Sequence, residues 1–304
     1  MSGEVRGRRE AGALNSAVGH GKAGSAEVNR QPWNVWFRRF PAVGKAVTGA
    51  GDAECELVCF PHAGGSAAYW QPLAVALAPA VDVVAVQYPG RLDRLREAPV
   101  EDLHLLADLI TEALGPPERV PRVLLGHSMG ASLAYEVAVR LARQPGGEPH
   151  LLVVSGRRGP AAARGRSRDQ PVGDAELVER IRRLGGTDAP VFDDPDLLEM
   201  VLPALRGDYR ALASYEATPG RPLSCPVVAL AGDRDPEAPV EEARTWGEQT
   251  SGDFRTQVFE GGHFFLNDHA GDVVDLIRGL LPTRSGRPER TTGLWHRPPS
   301  ARNL

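Results

Sequence analysis

Gly126-His127-Ser128-Met129-Gly130 stands between an apolar run ending at Leu125 and an amphipathic stretch that begins at once. A serine so placed is set for nucleophilic attack, because the flanking glycines permit a turn too tight for side chains and the strain lifts the hydroxyl clear. The pentapeptide alone says little in a chain with 34 glycines, so the strand before it and the helix after it carry the reading. A serine hydroxyl is a weak nucleophile until a base removes its proton, and the base needs a carboxylate to hold its tautomer. Of the 8 histidines, His20 and His296 lie in terminal stretches, and His62 and His127 precede or adjoin the serine. His104 falls on a helical pattern and His150 lies ahead of the next apolar run. His263 follows a late apolar run and the pair Gly261-Gly262, which lets its loop carry the ring over the serine; His269 falls in the helix beyond. His263 is therefore the expected base.

Six short runs read as strands: Glu56 to Phe60, Val81 to Val86, Arg122 to Leu125, Leu151 to Ser155, Pro226 to Ala231 and Arg255 to Phe259. Most are apolar on both faces, as strands of a parallel sheet covered by helices must be. Amphipathic stretches such as Tyr69 to Leu77, Leu103 to Leu114 and Met129 to Arg143 supply the crossovers. A nucleophile on a strand-to-helix elbow, followed along the chain by an acid and then a histidine, is the order of the α/β-hydrolase fold. In that fold the acid lies in the loop after the strand preceding the histidine, here Gly232-Asp233-Arg234-Asp235. Both carboxylates can reach. Asp235, three residues after the glycine, is the expected acid and Asp233 the residue that caps the loop. Acyl transfer also needs two preorganised N–H donors for an oxyanion. Met129, next to the nucleophile, is expected to supply one; Ala63, in Pro61-His62-Ala63-Gly64-Gly65, is expected to supply the other, with Gly64 as the alternative. His62 is read as a packing or hydrogen-bonding residue. No metal or organic cofactor is required by this set.

Between about 156 and 217 the alternation stops, and two helical patterns, at 174–186 and 194–217, suggest an insertion that covers the sheet as a lid. Residues 33–282 are expected to form one α/β-hydrolase domain. Residues 1–32 and 283–304 lack apolar periodicity and are expected to be disordered extensions. With 42% apolar and 24% charged residues the chain can build a large core, and a net charge of −4 offers no basic face for nucleic acid. Three cysteines in no metal or disulfide spacing suggest reduced thiols. No apolar run reaches the roughly 18 residues that a bilayer span requires, and the first residues lack a secretory apolar block. A cytoplasmic protein with no membrane partner is expected.

Taken together, these stretches resemble the type II thioesterases that accompany polyketide synthases and nonribosomal peptide synthetases. The likeness rests on FPHAGGSA from Phe60, QYPGRLDRLREAPV from Gln87 and LLGHSMGASLAYEVA from Leu124. It also rests on LRGDYRALASYE from Leu205, AGDRDPEAP from Ala231 and GGHFFL from Gly261, and it covers about Trp36 to Leu281. The resemblance implies a triad of Ser128, Asp235 and His263. It also implies hydrolysis of acyl groups from the phosphopantetheine arms of acyl or peptidyl carrier proteins, clearing misprimed units. Arg91 and Arg94 are candidates for docking an acidic carrier protein or the phosphate of its arm. An acyltransferase or product-releasing thioesterase, and a binding protein on a hydrolase scaffold, are the competing readings.

Overall fold

Alternate residues of each central strand feed two separate cores, and this organises the molecule. The computed structural model describes residues 33–40, 53–117, 120–163, 173–185 and 193–282. The expected extensions at 1–32 and 283–304, and parts of the expected insertion, lie outside these residues. A seven-stranded sheet runs in the order β1-β3-β2-β4-β5-β6-β7. After the one-turn helix α1 (Trp33–Trp36), its strands are β1 (Phe37–Arg39), β2 (Cys55–Phe60), β3 (Val81–Val86), β4 (Arg122–His127), β5 (Leu151–Ser155), β6 (Val227–Gly232) and β7 (Phe254–Phe259). All neighbours are parallel except β1, which pairs antiparallel with β3 through Phe37↔Val86 and Arg39↔Val84.

Val58, Phe60, Val84, Val86, Leu124 and Val154 point to one core, where helices α3 (Leu103–Leu114) and α4 (Met129–Leu141) cover them. Leu57, Cys59, Val83, Leu125, Val153 and Val228 point to the other, against α2 (Gln71–Leu77) and a late helix at Ala270–Leu280. Burial on both faces is why these strands are continuous apolar runs instead of alternating ones. In α3 the buried positions Leu103, Leu106, Ala107, Ile110 and Leu114 follow the helical period. Asp102 caps that helix by accepting the N–H groups of His104 and Leu105, and Gly115 ends it at φ 63°.

Between β5 and β6 the described residues form no strand of that sheet but three helices, α5 (Pro160–Ala163), α6 (Asp174–Leu184) and α7 (Pro195–Ala213). Helices α6 and α7 bury Leu177, Ile181, Leu205 and Tyr209 in a third cluster, which Ala63 also joins. This cluster seats the insertion on the loop after β2. After β6 follow α8 (Val240–Arg244), then β7, α9 (Phe265–Asp268) and α10 (Ala270–Leu280). No described helix is long and apolar enough to cross a membrane.

Candidate active site

Every candidate side chain stands at the carboxyl end of a parallel strand, where loops converge over the sheet. Ser128 follows β4 directly, with φ 55° and ψ −118°, a conformation that side-chain-bearing residues rarely adopt. Its own N–H donates to the Ser155 carbonyl at 2.8 Å, which ties the elbow to β5. The glycines on either side are required by contact. A Cβ on Gly126 would lie 2.0 Å from the Gly130 carbonyl oxygen, and one on Gly130 would lie 2.0 Å from the Phe60 carbonyl oxygen.

The Ser128 Oγ lies 2.9 Å from His263 Nε2, and His263 Nδ1 lies 2.8 Å from Asp235 Oδ2. A carboxylate only accepts, so Nδ1 carries the hydrogen and Nε2 presents its lone pair to the serine hydroxyl. Asp235 and His263 are each 4% exposed, and the second oxygen of Asp235 accepts the Glu237 N–H at 2.8 Å. Asp233 faces elsewhere: its Oδ1 accepts the Gly261 N–H at 2.8 Å and pins the loop that carries His263. His269 bonds the Glu260 carbonyl through Nε2 at 2.7 Å and takes no part. The arrangement can draw a proton from Ser128 and hold the resulting imidazolium against a buried carboxylate.

Two further histidines crowd the base without joining it. His127 sets its ring 5.2 Å from that of His263, tilted by 41°, and shares a hydrogen bond between Nδ1 and Ser155 Oγ at 3.0 Å. His62 meets Tyr69 and Phe264 edge-on at 4.7 and 4.8 Å. Burial, then the nearness of His263 and Arg91, pushes the His62 pKa down to about 3. Burial pushes that of His127 well below the usual histidine value, helped by His263 and His62. Both shifts favour the neutral rings near pH 7.

The loop after β2 lies against the elbow. Met129 is the first residue of α4, so its N–H has no acceptor within the helix. The Gly64 N–H donates to Asp208 Oδ2 at 2.7 Å, whereas the Ala63 N–H has no acceptor among the described residues. Among the three candidate donors, the Gly64 N–H is taken up by Asp208, and those of Met129 and Ala63 are not.

Arg91 and Arg94 do not form the docking surface suggested by their charge. They are 6% and 3% exposed. Arg91 clamps Asp208 with two bonds of 2.8 Å and donates to the Gly65 carbonyl at 3.0 Å. Arg94 donates to Glu97 at 2.8 and 2.6 Å and to the Gln87 carbonyl at 2.9 Å, and lies over the Trp36 ring at 4.4 Å. Guanidinium groups so placed brace the loop after β3. Sequence reasoning also missed Asp208 and Tyr88, whose hydroxyl donates to the Pro61 carbonyl at 3.1 Å. A signal for Asp208 was present: helical spacing sets it on the same stripe as Ala204, Leu205, Ala211 and Leu212, a charge on an otherwise apolar face.

Comparison with known proteins identifies the family and the fold. The family model for the thioesterase domain matches residues 55–281. The chain is 48% identical over 252 residues to a probable cadicidin biosynthesis thioesterase of Streptomyces griseus, covering 82% of this chain and 67% of that protein. It is 43% identical to the thioesterase PikA5 of Streptomyces venezuelae, over 85% of this chain and 91% of that one. Among solved structures, the type II thioesterase BorB from the borrelidin biosynthetic cluster superposes with a TM-score of 0.70 at 44% identity, covering 80% of this chain and 96% of that one. A domain match over most of the chain, with relatives of this identity on the same mostly parallel sheet, leads to one conclusion: the chain belongs to the thioesterase family and is a thioester-hydrolysing enzyme of the α/β-hydrolase fold.

Proposed function

We propose that this thioesterase removes acyl groups from the phosphopantetheine arms of acyl or peptidyl carrier proteins, clearing misprimed or aberrant units in polyketide or nonribosomal peptide biosynthesis. Ser128 attacks the thioester carbonyl carbon while His263 Nε2 takes its proton. The N–H groups of Met129 and Ala63 receive the oxyanion. Collapse breaks the carbon–sulfur bond, and the proton passes from His263 to the departing thiol. Water then attacks the acyl-serine, His263 accepts its proton, and the free acid leaves as Ser128 recovers its own. Asp235 holds the imidazole in the tautomer this cycle needs.

The observation that carries this reading is the pair of contacts joining Ser128, His263 and Asp235 at 2.9 and 2.8 Å, in a chain whose relatives are thioesterases named for biosynthetic clusters. The helical insertion is read as a lid over a pocket that a long, flexible arm can enter.

The test is release of free acid from acetyl- or propionyl-loaded carrier protein, compared with the same acyl group on a simple pantetheine thioester. Preference for the carrier-bound substrate, abolished by Ser128→Ala, is the expected result. Cleavage of simple thioesters with no carrier preference removes the carrier protein as partner. Transfer of the acyl group to an added alcohol or amine in place of water points to an acyltransferase instead.

A further inference from the structure

Helix α7 reaches the centre through a side chain that the cycle above leaves without a role. Asp208 is 2% exposed, and both of its oxygens are occupied. Oδ1 accepts from Arg91 Nη2 at 2.8 Å; Oδ2 accepts from Arg91 Nη1 at 2.8 Å and from the Gly64 N–H at 2.7 Å. The peptide between His62 and Ala63, whose N–H is the proposed oxyanion donor, lies between two anchored neighbours. On one side the Pro61 carbonyl accepts from Tyr88, and on the other the Gly64 N–H is held by Asp208. The His62 carbonyl accepts the Gly65 N–H at 2.9 Å, closing the turn. Leu205, on the same helix, presses on this point so closely that a Cβ on Gly64 would lie 2.2 Å from its Cδ2.

We propose that Asp208 is a positioning residue for the oxyanion hole, and that it couples the seating of α7 to transition-state stabilisation. A loop with a glycine at φ 75° has conformations in which the Ala63 N–H turns away. The Asp208 carboxylate, delivered by the insertion and oriented by Arg91, selects the one in which it faces the serine. The oxyanion hole is therefore complete only while α7 is docked. This inference rests on the hydrolytic cycle proposed above but not on the identity of the carrier.

The experiment uses the intact protein and a short-chain acyl-pantetheine thioester, with Ser128→Ala as the blank. No hydrolysis by the unaltered enzyme would refute the cycle itself, an outcome distinct from any below. Removing Asp208 alone strands a buried guanidinium, so the informative variant pairs Asp208→Leu with Arg91→Met, replacing the ion pair by apolar groups. Its kcat is expected to fall about 10²-fold, the effect of losing an oxyanion donor, with KM changed by less than about threefold. A trifluoromethyl ketone that forms a hemiketal with Ser128 should lose affinity by the same factor, while a non-reactive thioether analogue binds unchanged. Asp208→Asn, which keeps an acceptor for the Gly64 N–H, should recover about tenfold of the lost kcat. Unchanged kcat in the paired variant, equal weakening of both analogues, or no recovery with asparagine overturns the proposal. If the paired variant does not fold, hydrogen exchange in the unaltered enzyme decides. The ketone should slow exchange at the Gly64 amide and along α7 together, and slowing at one without the other overturns the coupling.

Discussion

His62 and His127 show how burial, helped by neighbouring charges, can silence a titratable side chain one ring away from the candidate base. Their depressed values make folding oppose protonation: the unfolded chain takes up protons near the ordinary histidine value of 6.5, while folded His62 waits until about 3. Stability is therefore full above about pH 6.5 and is lost as the pH falls toward 3, at about 1.4 kcal/mol per pH unit for each such ring. Urea unfolding of the enzyme and of His62→Phe between pH 7 and 5 should show the substitution flattening the acid loss by about that slope. Parallel curves would mean that His62 takes up its proton as readily in the folded chain as in the unfolded one. The order of Ser128, Asp235 and His263 was legible because elbow, strand ends and glycines mark their places locally. The fate of Arg91 and Arg94 was not. Charge suggests solvent, and only the contact of Arg91 with Asp208 of α7 and of Arg94 with the Trp36 ring shows that both are enclosed.

At the scale of elements, the buried strands and the edge strand β7 announced themselves, and the edge strand β1 did not. Runs such as Val81–Val86 and Leu151–Ser155 agree with β3 and β5 residue for residue, because burial on both faces leaves an unbroken apolar signature. β1 went unread because three residues carry no periodicity, and its existence depends on pairing with β3. β4 extends past Leu125 through Gly126 and His127, since the ladder with β5 continues to the pair His127↔Ser155, next to Ser128. The stretch read as one helix from Tyr69 begins as a 3-10 turn at Ala67–Trp70, and Pro72 occupies the first turn of α2. The contact of α4 with the end of β2 is a place where backbone meets backbone with no flexible side chain to give way. Gly130→Ala should accordingly cost about 3 kcal/mol of stability and most of the activity, measured by thermal melts and thioester hydrolysis. A variant with unchanged melting and rate would show that the elbow and the β2 loop can separate freely.

For the molecule as a whole, the three cysteines report how often the sheet opens. Cys55 and Cys59 lie in β2 and Cys225 just before β6, all buried and free. Burial first, and then neighbouring carboxylates, pushes Cys55 up to about 12; Cys225 reaches about 12 by burial and the charge of Glu148, and burial alone holds Cys59 well above its usual value. Only thiolates react with disulfide reagents, so at pH 8 labelling must wait for opening of the fold. None of the 3 thiols should react within minutes in the folded enzyme, and all 3 should react in denaturant. A thiol that reacts promptly without denaturant would place a local breach in β2 or at the start of β6. The bond from Asp208 to the Gly64 N–H also bears on re-engineering. A designer who exchanges the segment between β5 and β6 to alter acyl preference removes a buried carboxylate from beneath Arg91 and an acceptor from the loop after β2. A grafted segment must therefore bring its own acid to this position, or a chimera with a new pocket will inherit a loosened site for the chemistry.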